Sequence, residues 1–194
     1  MAVRGRRQQI LEAASVLFST KGYHGTTIRD IADESGLLSG SLYAHIRTKE
    51  DLLFEITNHV ADAFLERLTP IAASSDPPAH KFRAALAAHV GVVAENLPAG
   101  AVFCHEWRAL GGERRQLIQE KRDAYEQLWA RIIEEGVENG DFAPELSRFS
   151  RIVTLSVANW LYQWYHPDGD LTPEEVSDAL ADVILNGLAR RECS

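Results

Sequence analysis

The stretch GYHGTTIRDIADESGLLSGSLYAHIRTKEDL, residues 22–52, decides the fold, because it holds three helix starts and two glycine stops in 31 residues. Thr27 and Asp30 stand three apart, as in a capping box with aspartate in place of glutamate, so a helix opens at Thr27. Ile28, Ile31 and Ala32 give that helix an apolar side, and Ser35-Gly36 ends it. A second short helix is expected from about Ser39 to Ile46. Thr48-x-x-Asp51 then caps a long helix to about Leu68, with Leu52, Ile56, Val60 and Phe64 spaced along it. Upstream, Ile10, Ala13, Ala14, Leu17 and Phe18 recur at helical spacing on one face, and Lys21-Gly22 marks that helix's end.

Two short helices joined by a glycine-containing turn, behind a longer supporting helix, are the parts of a helix-turn-helix whose second helix enters the major groove of DNA. Ser39, Gly40 and Ser41 at the start of that second helix are small enough for a duplex backbone to come close, and first-turn N–H groups and hydroxyls suit phosphate. Leu42 and Ile46, four apart, face back into a three-helix core, which leaves Tyr43, Ala44 and His45 towards or beside the nucleic acid. Lys49 sits in the first turn of the next helix, where a cation opposes the helix dipole at a cost of roughly a few tenths of a kcal/mol, offset by a phosphate. Bland alternatives stay open at this level: Tyr43 as a core aromatic, His45 as a surface residue without a base contact, and Arg4, Arg6 and Arg7 as a frayed terminus rather than a minor-groove arm.

Composition is that of a globular protein: 194 residues, 45% hydrophobic and 25% charged. The net charge of −8 is unevenly spread. Residues 1–50 carry seven Lys or Arg against five Asp or Glu, whereas residues 51–194 carry thirteen against twenty-three, the pattern of a head that meets an anion and a body that does not. No signal peptide is legible at the start, and the apolar run IVTLSVANWLYQWY is too short and interrupted to span a bilayer. Cys104 and Cys193 show no CxxC spacing, so a reduced, cytoplasmic protein is expected.

Beyond the break at ASSDPPAH, residues 73–80, further helices are expected near 79–96, 99–110, 112–139, 146–165 and 173–189. The last opens on Thr172, Pro173 and Glu175, a capping box with proline at its first turn. The expected fold is all-α, with about nine helices: an N-terminal helix-turn-helix domain over 1–50 and a ligand-binding and dimerisation domain over 51–194, linked by the helix from about 48 to 68. A single short reading helix covers few base pairs, so such heads act as two-fold pairs. The stripe Val176, Leu180, Val183, Ile184 and Leu188, and the segment 146–165 with apolar residues on nearly every side, are the candidate dimer surfaces; core filling is the alternative. Aromatic and polar residues of the body, Phe103, Trp107, Tyr125, Trp129, Asn159, Tyr162 and Gln163, are the candidate ligand contacts, with Asn159 and Gln163 standing out as polar groups amid apolar ones.

The motifs IADESG, G-S-LY-x-H and TKE, at these spacings over about residues 8–55, resemble the N-terminal domain of the TetR family of transcriptional repressors. One departure is Ile46, where the family usually has phenylalanine; Arg47 falls at a variable position. The resemblance implies DNA contacts from Thr27, Ser39, Gly40, Ser41, Tyr43, His45 and Lys49, with Thr27, Tyr43 and Lys49 mainly on phosphates. It also implies a homodimer with a four-helix interface, a double-stranded palindromic operator and a small-molecule effector. EEGVENGDFAPEL (134–146) followed by NWLYQWYHPDGDLTPEEV (159–176) is similar to the branch of the family that senses acyl-CoA thioesters, which includes repressors of fatty-acid degradation and of sterol-ring catabolism. Sterol-type members are expected to carry arginine near the position of Gln163, so the glutamine argues for a different acyl group. A sensor of a non-CoA hydrophobic molecule and a ligand-independent architectural dimer are the open alternatives.

An enzyme is not expected. His105-Glu106 begins like a zinc-protease motif, but position 109 is alanine, and the seven histidines show no metal spacing. No phosphate-binding glycine loop and no nucleophile elbow occur, so no cofactor or metal is anticipated.

Overall fold

The computed structural model describes residues 5–37, 39–44 and 46–188. Among them the regular structure is helical, without a strand. The chain forms two compact units, one holding the chain up to Ala61 together with Asn96–Glu120, the other Asp62–Glu95 together with the chain from Lys121 onward. No single described helix is long and apolar enough to cross a membrane.

In the first unit α1 (Arg6–Lys21) buries Ile10, Ala13, Ala14, Leu17 and Phe18, the face its periodicity predicts. It ends at Gly22, whose φ of 76° is open to glycine and strained for other residues. α2 (Ile28–Glu34) starts from a complete capping box: Asp30 N–H donates to the Thr27 hydroxyl, and the Asp30 carboxylate accepts from Thr27 N–H at 2.7 Å. Gly36, at φ 68°, turns the chain into α3 (Ser39–Leu42). Regular helical bonding in α3 is shorter than the expected 39–46, but Ile46 N–H still reaches the Leu42 carbonyl. α4 (Lys49–Ala73) opens on the reciprocal Thr48–Asp51 bonds and runs through Pro70 to Ala73, five residues beyond the expected end. Pro70 has no N–H to give the Glu66 carbonyl, so one bond of the last turn is missing.

α5 (Pro78–Glu95) follows, and α6 (Leu97–His105), capped by the Asn96 side chain on Ala99 N–H, returns the chain to pack on α1 in the first unit. The helix expected over 99–110 tightens into a 3₁₀ turn at Glu106–Ala109 before α7 (Gly112–Glu138).

In the second unit α7 ends where Gly136 lets Phe142 fold back. A Cβ at Gly136 would lie 2.1 Å from the Phe142 ring, so the EEGVENGDF pattern encodes a turn only glycine permits. A 3₁₀ turn, Pro144–Leu146, leads into α8 (Ser147–Asn159). The single helix expected over 146–165 breaks at Trp160, whose N–H is shared between the Ser156 and Val157 carbonyls, and a short α9 (Leu161–Trp164) follows. α10 (Pro173–Leu188) starts from the Thr172–Glu175 pair as expected. α5 is the centre of this unit, packed on by α8, α9 and α10, with Phe82, Leu86, Val90 and Val93 buried.

Candidate nucleic-acid interface and sensing core

α3 and the turn after it have two opposed sides. Leu42 and Ile46 are buried, at 0% and 4% exposure, while Tyr43 is 59% exposed and Gly40 and Ala44 are also open to solvent. Burying Leu42 and Ile46 fixes α3 through a few kcal/mol of apolar transfer, and that fixation is what leaves the aromatic beside them outward. Ser39 and Ser41 occupy the first and third positions of α3, and His45 lies outside the described residues. Thr27 is exposed at the start of α2, its hydroxyl donating to Asp30 at 2.6 Å. That bond, together with the Thr27 backbone, holds the Asp30 carboxyl below the usual carboxylate range and keeps the cap charged at any ordinary pH.

The base of this surface is a polar frame. Lys49 donates to the Tyr23 and Thr26 carbonyls, each at 2.7 Å, and its ammonium lies 4.2 Å from the Tyr23 ring centroid. On the other side of the same turn, Tyr23 N–H donates to the Glu106 carboxylate at 2.9 Å. Burial pushes the Tyr23 phenol up and the Lys49 ammonium down from their ordinary values. Arg114 pairs with Asp51 at 2.5 Å and lies over the Phe54 ring, and Gly111 N–H donates to Glu50. The Arg114 guanidinium is the main reason the Asp51 carboxyl is held low. A cleft of about 560 Å³ opens beside Tyr43, lined also by Arg7, Arg47, Asp51, Glu55 and Arg114.

The expected ligand contacts divide between the units. Phe103 and Trp107, on α6 and the turn after it, are buried in the first. Tyr125, Trp129, Asn159, Tyr162 and Gln163 belong to the second, where the two α7 aromatics are buried, Asn159 and Tyr162 are half-buried and Gln163 is exposed. Tyr125 meets a residue the sequence did not single out: the α5 His89 Nδ1 lies 2.9 Å from the Tyr125 hydroxyl. Phe64 covers both rings at 4.6 and 5.0 Å, and Trp129 packs edge-on against Phe82 at 5.5 Å. Burial pushes the His89 pKa down to about 3, so the imidazole is neutral, and pushes the Tyr125 phenol up. The only sequence signal for His89 was a polar ring inside the apolar run AALAAHVGVV, residues 84–93.

The second unit also exposes an apolar face. α8 and α10 pack on α5 and on each other through Ser150, Thr154, Ala158, Val176, Ala181 and Ile184. Phe149 (63% exposed), Ile152, Val153 and Val183 (74%) are left outside, with Trp160 and Trp164 beyond. The α10 stripe read as one face is therefore divided, Val176 and Ile184 turning inward and Val183 outward.

A helix-turn-helix head with an outward tyrosine, joined in one chain to an all-helical unit, is the build of a DNA-binding transcriptional regulator. The chain belongs to the TetR family. Residues 10–56 match the family of bacterial regulatory proteins of that name, and residues 75–188 match the tetracyclin repressor-like C-terminal domain. Among its relatives, the HTH-type transcriptional repressor KstR2 of Rhodococcus jostii is 31% identical, the match covering 95% of this chain and 92% of the relative. The structure of the ketosteroid transcriptional regulator KstR2 of Mycobacterium tuberculosis superposes with a TM-score of 0.90 at 27% identity, covering 97% of each chain. AibR, solved in complex with isovaleryl coenzyme A and operator DNA, does so with a TM-score of 0.78 at 28% identity, covering 92% of this chain and 97% of its own. The chain is thus a transcriptional regulator rather than an enzyme.

Proposed function

We propose that this protein is a repressor that binds a palindromic operator as a homodimer and leaves or alters its grip on DNA when an acyl-CoA thioester binds. The head over residues 1–50 reads DNA, and the part over 51–194 senses and dimerises. Thr27, Ser39, Gly40, Ser41, Tyr43 and His45 form the duplex-facing set, and Lys49 completes it at the start of α4. The observation that carries the reading is the division of α3 and the turn after it, with Leu42 and Ile46 locked inward and Tyr43 held outward.

Exposed apolar side chains on α8 and α10 support the dimer: Phe149, Ile152, Val153 and Val183 stay open to solvent, as the residues of an interaction surface do. The effector class is supported by the isovaleryl coenzyme A in AibR and by the aromatic core around Tyr125 and Trp129, which offers apolar cover with few polar groups. Asn159, Tyr162 and Gln163 of the same unit complete the candidate ligand contacts there. The resident His89–Tyr125 pair is neutral, so it suits a thioester carbonyl or acyl chain better than a carboxylate.

The test is a panel of acyl-CoAs of increasing chain length, added to the protein on a duplex it has enriched from a random-sequence pool. One thioester should raise the melting temperature and change DNA affinity by about 5–150-fold. If no thioester does either while a CoA-free hydrophobic compound does, the protein senses another class; if neither does, it is an architectural DNA-binding dimer.

A further inference from the structure

We propose that the His89 imidazole and the Trp129 indole are the donors that hold the effector's thioester carbonyl, with Tyr125 as the positioning residue that fixes the imidazole proton. The inference deepens the acyl-CoA reading above and rests on it. Buried polar groups are nearly always hydrogen-bonded, because a buried donor without an acceptor keeps the whole cost of leaving water. His89 Nε2 and Trp129 Nε1 depart from that rule. Both are buried, and neither has a hydrogen-bond partner. They lie in one aromatic cluster, on α5 and α7 of the second unit.

The cluster keeps both nitrogens protonated. An indole nitrogen is a donor only. On the imidazole, Nδ1 faces the Tyr125 hydroxyl at 2.9 Å. Burial keeps the ring neutral, with a single proton, and the Ala158 carbonyl of α8 favours a ring proton from beyond hydrogen-bond distance. With the phenol O–H donating to Nδ1, that proton stands on Nε2. Burial also holds the proton on the phenol, and the Trp129 indole opposes it from beyond bonding distance. The histidine–tyrosine pair thus has a free N–H at its imidazole end and an indole N–H at its phenol end.

Two neutral N–H groups select an acceptor without charge. A carboxylate in this core would need a cation, and the buried Lys81 is already matched by Glu135 at 2.8 Å. A carbonyl oxygen has two lone pairs and can accept from both donors. Phe64, at 4.6 and 5.0 Å from the imidazole and phenol rings, and Phe82, at 5.5 Å from Trp129, give an adjoining hydrocarbon chain its cover. A thioester joins carbonyl to hydrocarbon without a donor of its own. A pantetheine amide would bring an N–H that needs a further acceptor.

The experiment compares butanoyl-, octanoyl- and dodecanoyl-CoA with the S-alkyl-CoA thioether of the same length, which lacks only the carbonyl oxygen. At the length that binds most tightly, the wild-type protein should hold the thioester roughly tenfold more tightly than the thioether. The infrared band of an isotope-labelled thioester carbonyl should move to lower frequency on binding. His89→Leu and Trp129→Phe should each narrow the preference and reduce the band shift, and Tyr125→Phe should reduce the shift through the imidazole. Equal affinity for thioester and thioether, or a carbonyl band that does not move, overturns the proposal, as does a preference that both donor variants keep. If the variants do not fold, the wild-type comparison decides alone. A protein that binds neither thioester nor thioether at any length instead sinks the acyl-CoA reading, and this inference with it.

Discussion

The two units dispose of their polar groups in opposite ways. In the first, polar side chains gather at helix ends and turns, each with a named partner: Thr27 with Asp30, Thr48 with Asp51, Lys49 with two carbonyls, Glu106 with Tyr23, Arg114 with Asp51. In the second, the central polar pair is a neutral histidine and tyrosine sunk among aromatic rings, and Phe149, Ile152 and Val153 of α8 and Val183 of α10 stay exposed. A surface that reads a duplex must be fixed before contact, and saturated turns fix it. A core of large rings around a neutral polar pair, its buried Lys81 matched by Glu135, can repack around an apolar guest, and exposed apolar side chains can be covered by a second copy.

Aromatic truncation should separate the units most sharply. Trp129→Ala removes a fully buried ring and should cost about 3–5 kcal/mol of stability, read as a melting temperature lowered by roughly 10 °C. Tyr43→Ala should leave melting unchanged and abolish most DNA binding. A large stability loss at Tyr43 would erase the contrast.

The outer face comes next. Phe149→Glu with Val183→Glu should yield a folded monomer by sedimentation, and DNA affinity should fall by roughly 100-fold as the linked second head is lost. A double variant that remains dimeric would move the interface elsewhere.

Titration of His89 should be felt only in the second unit. Its folded pKa, about 3, lies below the ordinary value near 6.5, so the unfolded chain takes up a proton first as pH falls. The stability is fully present above about pH 6.5 and declines below it, by roughly 2 kcal/mol at about pH 5. His89→Gln should flatten that decline, visible in denaturant midpoints against pH; an equally steep decline in the variant would assign the acid sensitivity to other groups.

The smallest expected effects are at the caps. Thr27→Ala and Thr172→Ala should each cost about 1 kcal/mol, but only the first should also weaken DNA binding. Equal DNA affinity in both would remove Thr27 from the interface.

The sequence was most legible where structure is local. All three capping boxes, the buried face of α1 and the inward pair Leu42 and Ile46 follow from spacing alone. Features set by distant segments were not legible. Nothing in NLPAGAVFCHEW indicates that α6 packs on α1, or that Glu106 ties Tyr23 across 83 residues of chain. The break at Trp160 carries neither proline nor glycine to announce it. Lys49 shows what spacing leaves out: its ammonium bonds the Tyr23 and Thr26 carbonyls, which the turn between α1 and α2 places beside the start of α4. His89 was hidden because an apolar run with one imidazole gives no sign of the tyrosine it meets.

Selection from a random duplex pool, followed by sequencing, tests the central claim most directly. A dimer whose α3 surfaces read DNA should enrich an inverted repeat with half-sites about 34 Å, or a multiple of that, from centre to centre, and Tyr43→Ala should enrich nothing. No enrichment by the wild-type protein, or the same motif retained by Tyr43→Ala, would contradict it.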